Sequence, residues 1–267
     1  MTGDDRILLF IPAYRCAPQI VRVIAQLPAV AELVDEVVVI DNRSPDDTLE
    51  RAAEALAQLD GLRWSVLRND DNYGLGGSHK VAIDHGLRNG HQWLLVLHGD
   101  DQADVRDIVP LLRAGAHREL DALLGARFQR GARLRGYSRV RTAGNHAYNL
   151  LFSAAGRRRF HDLGSGLNLF RLERFRDGAQ LGFADDLTFN YHLSLLMARR
   201  HWRMRFFPIS WREEDQRSNV KLVEQGLRTL RLVGSYARDP ERFLATDHRP
   251  QPRQYSAQVV VSSDAPA

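Results

Sequence analysis

The chain has 267 residues, 44% hydrophobic and 26% charged, with 37 Lys and Arg against 33 Asp and Glu for a formal charge of +4. That excludes an intrinsically disordered protein, which is poorer in apolar residues and more lopsided in charge, and it suits one large α/β domain or two small ones. A lone cysteine, Cys16, excludes an internal disulfide and a thiolate metal cluster. The mild positive charge favours anionic partners without choosing among phosphate groups, an acidic membrane face and nucleic acid. The opening segment MTGDDRILLF carries acids where a secretory leader needs bases, and no 18 consecutive apolar residues occur anywhere. A soluble, cytoplasmic protein is expected.

Short apolar runs alternate with amphipathic stretches through the first half. Residues 7–12, 36–41, 62–67, 93–98 and 122–126 read as strands, too short and too uniformly apolar for surface helices. Between them, residues 17–27, 46–59, 78–88 and 105–114 read as helices, the second opened by Asp46 and Asp47. This alternation predicts an α/β fold with a mostly parallel, doubly wound sheet and helices on both faces. The second half predicts helices at 144–154, 187–200 and 219–236, and strands at 167–170 and 204–209. After Pro240 the composition turns polar, and residues 241–267 read as a tail with one edge strand at 258–261.

In open α/β sheets ligands bind beyond the carboxyl ends of the strands. The first strand runs into Pro12, Ala13 and Tyr14, and the second into Asp41-Asn42-Arg43-Ser44. The third is followed by Asn72-Tyr73-Gly74-Leu75-Gly76-Gly77, and the fourth by His98-Gly99-Asp100-Asp101-Gln102. Polar residues and glycines therefore crowd one sheet edge, the layout of a nucleotide site with a metal. The glycine loop lacks the third glycine of a dinucleotide fingerprint and follows the wrong strand. It is expected to let backbone approach a sugar nucleotide.

These strings, IPAY, VIDNRSPDDT, NYGLGGSHKVAIDHGL and VLHGDDQAD in order, resemble the family 2 glycosyltransferases, and within them the polyprenol-phosphate sugar transferases such as dolichol-phosphate mannose synthase. Later echoes are GARF, DLGSGLNLF and FPISWREEDQRSNVK, so the resemblance runs from about Ile7 to Val233. It implies a GT-A fold with a nucleotide-binding half at 1–126 and an acceptor half at 127–240. It also implies a nucleoside-diphosphate sugar donor, a divalent metal (Mn²⁺ or Mg²⁺) and inversion at the anomeric carbon. By motif position Pro12, Ala13, Tyr14 and Asp41 would hold the nucleoside, and Asn72, Gly74, Gly76, Arg212 and Lys221 would complete the donor site. His98, Asp100 and Gln102 would hold the metal, and the histidine would favour Mn²⁺. The chain departs from the family at Arg15, Cys16, Asn42 and His98, where carboxylates or Asn are usual.

On the acceptor side, arginines cluster between Arg127 and Arg141, with Arg157-Arg158-Arg159 beyond. Arg127 and Arg141 match family arginines near an acceptor phosphate; the rest would face solvent or an anionic membrane. Asp185 and Asp186 are the candidates for a general base. The family's base position falls near Asn190, however, and a phosphate acceptor, already ionised, needs no base. The expectation is therefore an inverting, metal-dependent transferase to a polyprenyl phosphate, possessing no nucleic-acid partner and peripheral at the inner membrane face, with its oligomeric state left open. Two rivals stand beside it: transfer to a hydroxyl of a glycan with Asp185 or Asp186 as base, and a catalytically silent sugar-nucleotide-binding protein.

Overall fold

The Val, Ile and Leu runs form the centre of an eight-stranded sheet in the computed structural model, which describes residues 5–213 and 222–263. In chain order the nucleotide-side elements are β1 (Ile7–Ala13), α1 (Ala17–Ile24), β2 (Glu36–Asp41), α2 (Thr48–Leu56), β3 (Trp64–Asn69), α3 (Gly74–Arg88), β4 (Trp93–Leu97), α4 (Val109–Arg113) and β5 (Ala122–Ala126). There follow β6 (Arg133–Arg135), α5 (Arg139–Gly156), β7 (Leu167–Arg171), α6 (Phe189–Arg199), β8 (Met204–Pro208), β9 (Ser210–Arg212), α7 (Leu222–Arg238), α8 (Pro240–Ala245) and β10 (Ala257–Ser262). The strand order is β10-β3-β2-β1-β4-β7-β5-β8, and β6 pairs with β9 in a separate ribbon. β3, β2, β1 and β4 run parallel, whereas β7 runs antiparallel to both β4 and β5.

Alternate residues of the central strands feed two cores. Leu9, Ile11, Val37 and Val39 pack with Ile20, Val23 and Leu56 of α1 and α2 on one face. Leu8, Phe10, Val38 and Ile40 pack with Ala82 and Ile83 of α3 and Leu193 of α6 on the other. Strands buried on both faces need no polar alternation, which is why they read as continuous apolar runs. A third cluster, including Phe152, Leu195, Val233 and Phe243, ties α5 to α6, α7 and α8.

Several boundaries differ from the sequence expectation. The helix expected over 17–27 ends at Ile24 and gives way to a 3₁₀ turn containing Pro28. The one expected over 105–114 splits into a 3₁₀ turn and α4, whose first turn holds Pro110, a residue without an amide hydrogen. α5 begins at Arg139, and its Arg141 is held by Glu213 at 2.6 Å and stacked 4.8 Å from the Tyr137 ring. The segment expected as a tail is built into the fold: α8 caps the third core, and the edge strand expected at 258–261 is present as β10, which pairs antiparallel with β3 from Ala257↔Asn69 to Ser262↔Ser65. Among the described residues no helix is long and apolar enough to cross a membrane.

Candidate active site

The parallel strands bring their carboxyl ends to one edge, and each end is stitched to its neighbour. Pro12 O accepts from Gly99 N at 3.1 Å, and a Cβ at Gly99 would lie 2.8 Å from that oxygen, so only glycine permits the contact. Pro12 and Ala13 are buried, while Tyr14 stands 43% exposed above them. Arg15 sits at φ 51, donating its amide to Ser44 Oγ, and Cys16 N donates to Thr48 Oγ1. Burial pushes the Cys16 thiol up to about 12, so it is no nucleophile at neutral pH. Asp41 is fully buried; both of its oxygens accept from Ser44 N, and Arg68 Nε lies 3.6 Å away. Burial raises its carboxyl above the usual range despite those partners.

Asn42, where a family aspartate is common, is a hub that an aspartate could not replace. Its Oδ1 accepts from Asn69 Nδ2 (2.9 Å) and Tyr73 N (2.8 Å), and its Nδ2 donates to Asn72 Oδ1 (2.8 Å). Asn72 is thus occupied in holding the loop, since its Oδ1 also accepts from Gly74 N. The glycines have a role other than the one expected. Gly74 adopts φ +70, and a Cβ there would lie 2.5 Å from Asp185 O; one on Gly76 would lie 2.5 Å from Ala184 O. Gly76 N and Gly77 N both donate to Asp185 O. These residues form the first turn of α3 and admit the 184–186 loop against it, and Gly74 also lines the cleft beside that loop.

The metal candidates leave β4 together. His98 N donates to Gly166 O at 2.9 Å, and a Cβ on Gly166 would come within 2.8 Å of the imidazole, so the DLGSG segment is shaped to receive this ring. Burial, reinforced by the Arg127 charge, pushes His98 down to about 4. It is therefore neutral at pH 7, with a lone pair to give. Burial pushes Asp100 up to about 6 although Gln102 N donates to its Oδ1. A desolvated carboxylate is stabilised by an adjacent cation. A neutral imidazole, that carboxylate and the Gln102 amide fit a divalent ion that takes its remaining ligands from a diphosphate. Among the described residues no cluster of three or more His, Cys, Asp and Glu side chains offers an all-protein cage.

Asp101, the neighbour sequence reasoning passed over, is buried at φ 58 and binds Arg22 Nε (2.7 Å), Gln26 Nε2 (3.0 Å) and the Arg212 guanidinium. Arg212, expected on a pyrophosphate, is therefore engaged with Asp101. Lys221 lies outside the described residues.

The acceptor-side residues are likewise committed. Arg127, expected on a phosphate, is buried with Nε and Nη2 each 2.8 Å from Asp162, whose Oδ2 also accepts from Arg127 N. Trp211 stacks on the same guanidinium at 4.8 Å. Arg141, expected on the same phosphate, is bound by Glu213. The acidic pair divides. Asp185 Oδ1 accepts from Lys80 Nζ (2.7 Å) and Tyr255 Oη (2.6 Å), with Lys80 wholly buried, so that oxygen is committed to a clamp, while the residue also lines the cleft beside Asp186. Asp186 points outward; Thr188 N and Oγ1 donate to its Oδ1, and Arg228 approaches its Oδ2 at 2.6 Å. Burial alone would raise Asp186, but these hydrogen bonds and the Arg228 charge hold it below the usual carboxylate range. A cleft of about 260 Å³ opens here, lined in part by Asn72, Gly74, Asp186, Arg228, His248 and Arg253. Asn190 faces a separate small cavity beside Asp162 and Ser165. The buried His79 ring lies 6.1 Å from His98 and 5.2 Å from Phe189.

Lys80, Asp162, Tyr255 and Arg253 were missed from sequence. Lys80 had a signal, a lysine on the buried face of α3, which demands a partner. Tyr255 and Arg253 had none, since the edge strand expected at 258–261 does not say which strand it joins and so which residues it carries to Asp185.

Comparison with known proteins completes this picture. Polyprenol monophosphomannose synthase from Mycolicibacterium smegmatis is 26% identical over 172 residues, a match covering 63% of this chain and 63% of that relative's length. Glucosyl-3-phosphoglycerate synthase from Mycobacterium tuberculosis, in complex with Mn²⁺, UDP and glucosyl-3-phosphoglycerate, superposes with a TM-score of 0.59 at 17% identity, covering 97% of this chain and 90% of that one. S. aureus TarS 1–349 in complex with UDP-GlcNAc gives a TM-score of 0.57 at 16% identity, covering 90% and 70%. These likenesses carry the GT-A fold, the doubly wound sheet with helices on both faces. The family model described as glycosyl transferase family 2 matches residues 9–178, which takes in the strand ends from Pro12 to Gln102 together with Arg127 and Asp162, and the chain belongs to that family.

Proposed function

We propose that the protein transfers a sugar from a nucleoside-diphosphate donor, with a divalent cation, to a hydroxyl of a small-molecule or glycan acceptor. The carrying observation is the pairing pattern around the acceptor cleft. Arg127 and Arg141, the arginines that would grip a lipid phosphate, are paired with Asp162 and Glu213 away from the cleft, whereas Asp186, although itself paired with Arg228, lines the open cleft together with that arginine. A hydroxyl nucleophile must lose a proton and needs such a base; an ionised phosphate does not. His98, Asp100 and Gln102 would hold the cation, which would supply positive charge against the diphosphate leaving group. Asp41, Pro12, Ala13 and Tyr14 line the nucleoside side. The solved relatives support this reading: one was captured with Mn²⁺, UDP and glucosyl-3-phosphoglycerate, another with UDP-GlcNAc.

A second reading, transfer to a polyprenyl phosphate at the inner membrane face, is favoured by the match to polyprenol monophosphomannose synthase. Labelled UDP- and GDP-sugars, offered with Mn²⁺ to phosphorylated small molecules, oligosaccharides and polyprenyl phosphates in parallel, separate the two. Label is expected in a soluble product, abolished by EDTA and reduced about 100-fold or more in kcat by Asp186→Asn, the scale of one general base. Label appearing in butanol-extractable lipid alone, undiminished by Asp186→Asn, sinks the hydroxyl reading in favour of the phosphate.

A further inference from the structure

The outer face of α5 reverses the pattern of a solvated helix. Its outward positions are Val140, Ala143, Ala147, Leu150 and Ala154, spaced along one side of all 18 residues, and all five are exposed. Val140 is 76% exposed and Leu150 73%, among the most exposed large apolar side chains described. The inner side is also largely committed to packing, with Phe152 and Asn149 buried. A helix that is apolar on both faces is normally covered on both.

Charge says what covers the outer one. From residue 122 to residue 161 the chain has nine arginines and no Asp or Glu. Arg133, Arg135 and Arg139 are exposed at the start of α5, and Arg157 and Arg159 just past its end. Among the described residues, the carboxylates ion-paired to arginines of this segment, Asp162 and Glu213, hold only Arg127 and Arg141. A second copy meeting this face symmetrically would set arginine against arginine.

We propose that α5 lies in the plane of an anionic lipid surface, its apolar stripe entering the headgroup boundary and the arginines at its ends on the phosphates. The helix is about 27 Å long, at 1.5 Å per residue, and an interfacial helix needs this combination of an apolar face and flanking basic residues. The inference is independent of the acceptor, because a surface-bound enzyme can glycosylate either a lipid or a glycan.

The test is co-sedimentation of the full chain with vesicles of phosphatidylglycerol and phosphatidylcholine, against phosphatidylcholine alone. Binding is expected only with the anionic lipid, weakening as salt rises. Val140→Ser and Leu150→Ser should each weaken it about tenfold, the scale of one aliphatic side chain losing burial, with the melting temperature unchanged because both positions are exposed. Lack of binding to the anionic vesicles overturns the proposal. So does binding that the serine variants leave intact, or a dimer, seen by light scattering, that Leu150→Ser converts to monomer.

Discussion

Replacing Asp162 with asparagine tests whether Arg127 is an anchor or a substrate ligand. Asp162 is 5% exposed and accepts from Arg127 N, Nε and Nη2 and from Gly164 N. Asparagine keeps the volume but removes the charge and turns one acceptor into a donor facing other donors. Removing one partner of a buried ion pair costs about 3–5 kcal/mol, because the remaining charge stays desolvated. At about 2–4 °C per kcal/mol for a chain of this size, the melting temperature should fall by about 6–20 °C. Calorimetry reads that directly. The double variant Asp162→Asn with Arg127→Met, which removes the stranded charge and keeps an oxygen acceptor for the backbone amides, should recover part of the loss. If Asp162→Asn melts within about 1 °C of the parent while acceptor KM rises steeply, the pair contributes no anchoring and Arg127 is a substrate ligand after all.

Asp100→Asn should retain the fold by circular dichroism yet lose metal-dependent nucleoside-diphosphate binding; equal calorimetric affinity in the variant, or in EDTA, removes Asp100 from the metal site. Asn42→Asp should destabilise the Asn69–Asn72 loop by about 1–3 kcal/mol, the cost of unpaired buried groups, and urea denaturation that shows no change would refute the hub. Burial alone would raise Glu36, but the hydrogen bond and charge of His85, then those of Arg63, hold it at about 2 against an ordinary 4.5. A depressed folded-state value stabilises above the unfolded one, so this contribution is full above pH 4.5 and is lost as pH falls from 4.5 through about 2. Glu36→Gln should flatten the stability-against-pH curve in that window, and a curve as steep as the parent's would count against the cluster.

Much of the sheet was legible because strands buried on both faces leave an unmistakable run such as EVVVID. The strand ends were legible for the same reason, and with them the position of His98, Asp100 and Gln102 just beyond β4. Pairing was what the sequence concealed. An arginine reads the same whether it faces a phosphate or an aspartate 35 residues away, as Arg127 faces Asp162. The glycines after Tyr73 suggested a ligand approaching backbone, and a backbone does approach, but it is the chain's own loop at Asp185. The edge strand at 258–261 was legible as β10, but its partner was not, because a strand that pairs at long range carries no local sign of its neighbour, and so Tyr255 escaped the reading.

The antiparallel pairing of β10 with β3 also orders events as the chain is made. β3 is complete at Asn69, whereas β10 begins at Ala257. At 5–20 residues per second the outer edge of β3 waits roughly 10–40 s for its cover. Throughout that interval a nascent chain offers a row of unpaired amides and carbonyls to any neighbouring strand. Once in place, β10 becomes the new edge, and the register shift between Val259 and Val261 breaks the regular ladder there. A chain halted before β10 would keep the open edge indefinitely, so a late stop codon endangers solubility well before it touches the chemistry.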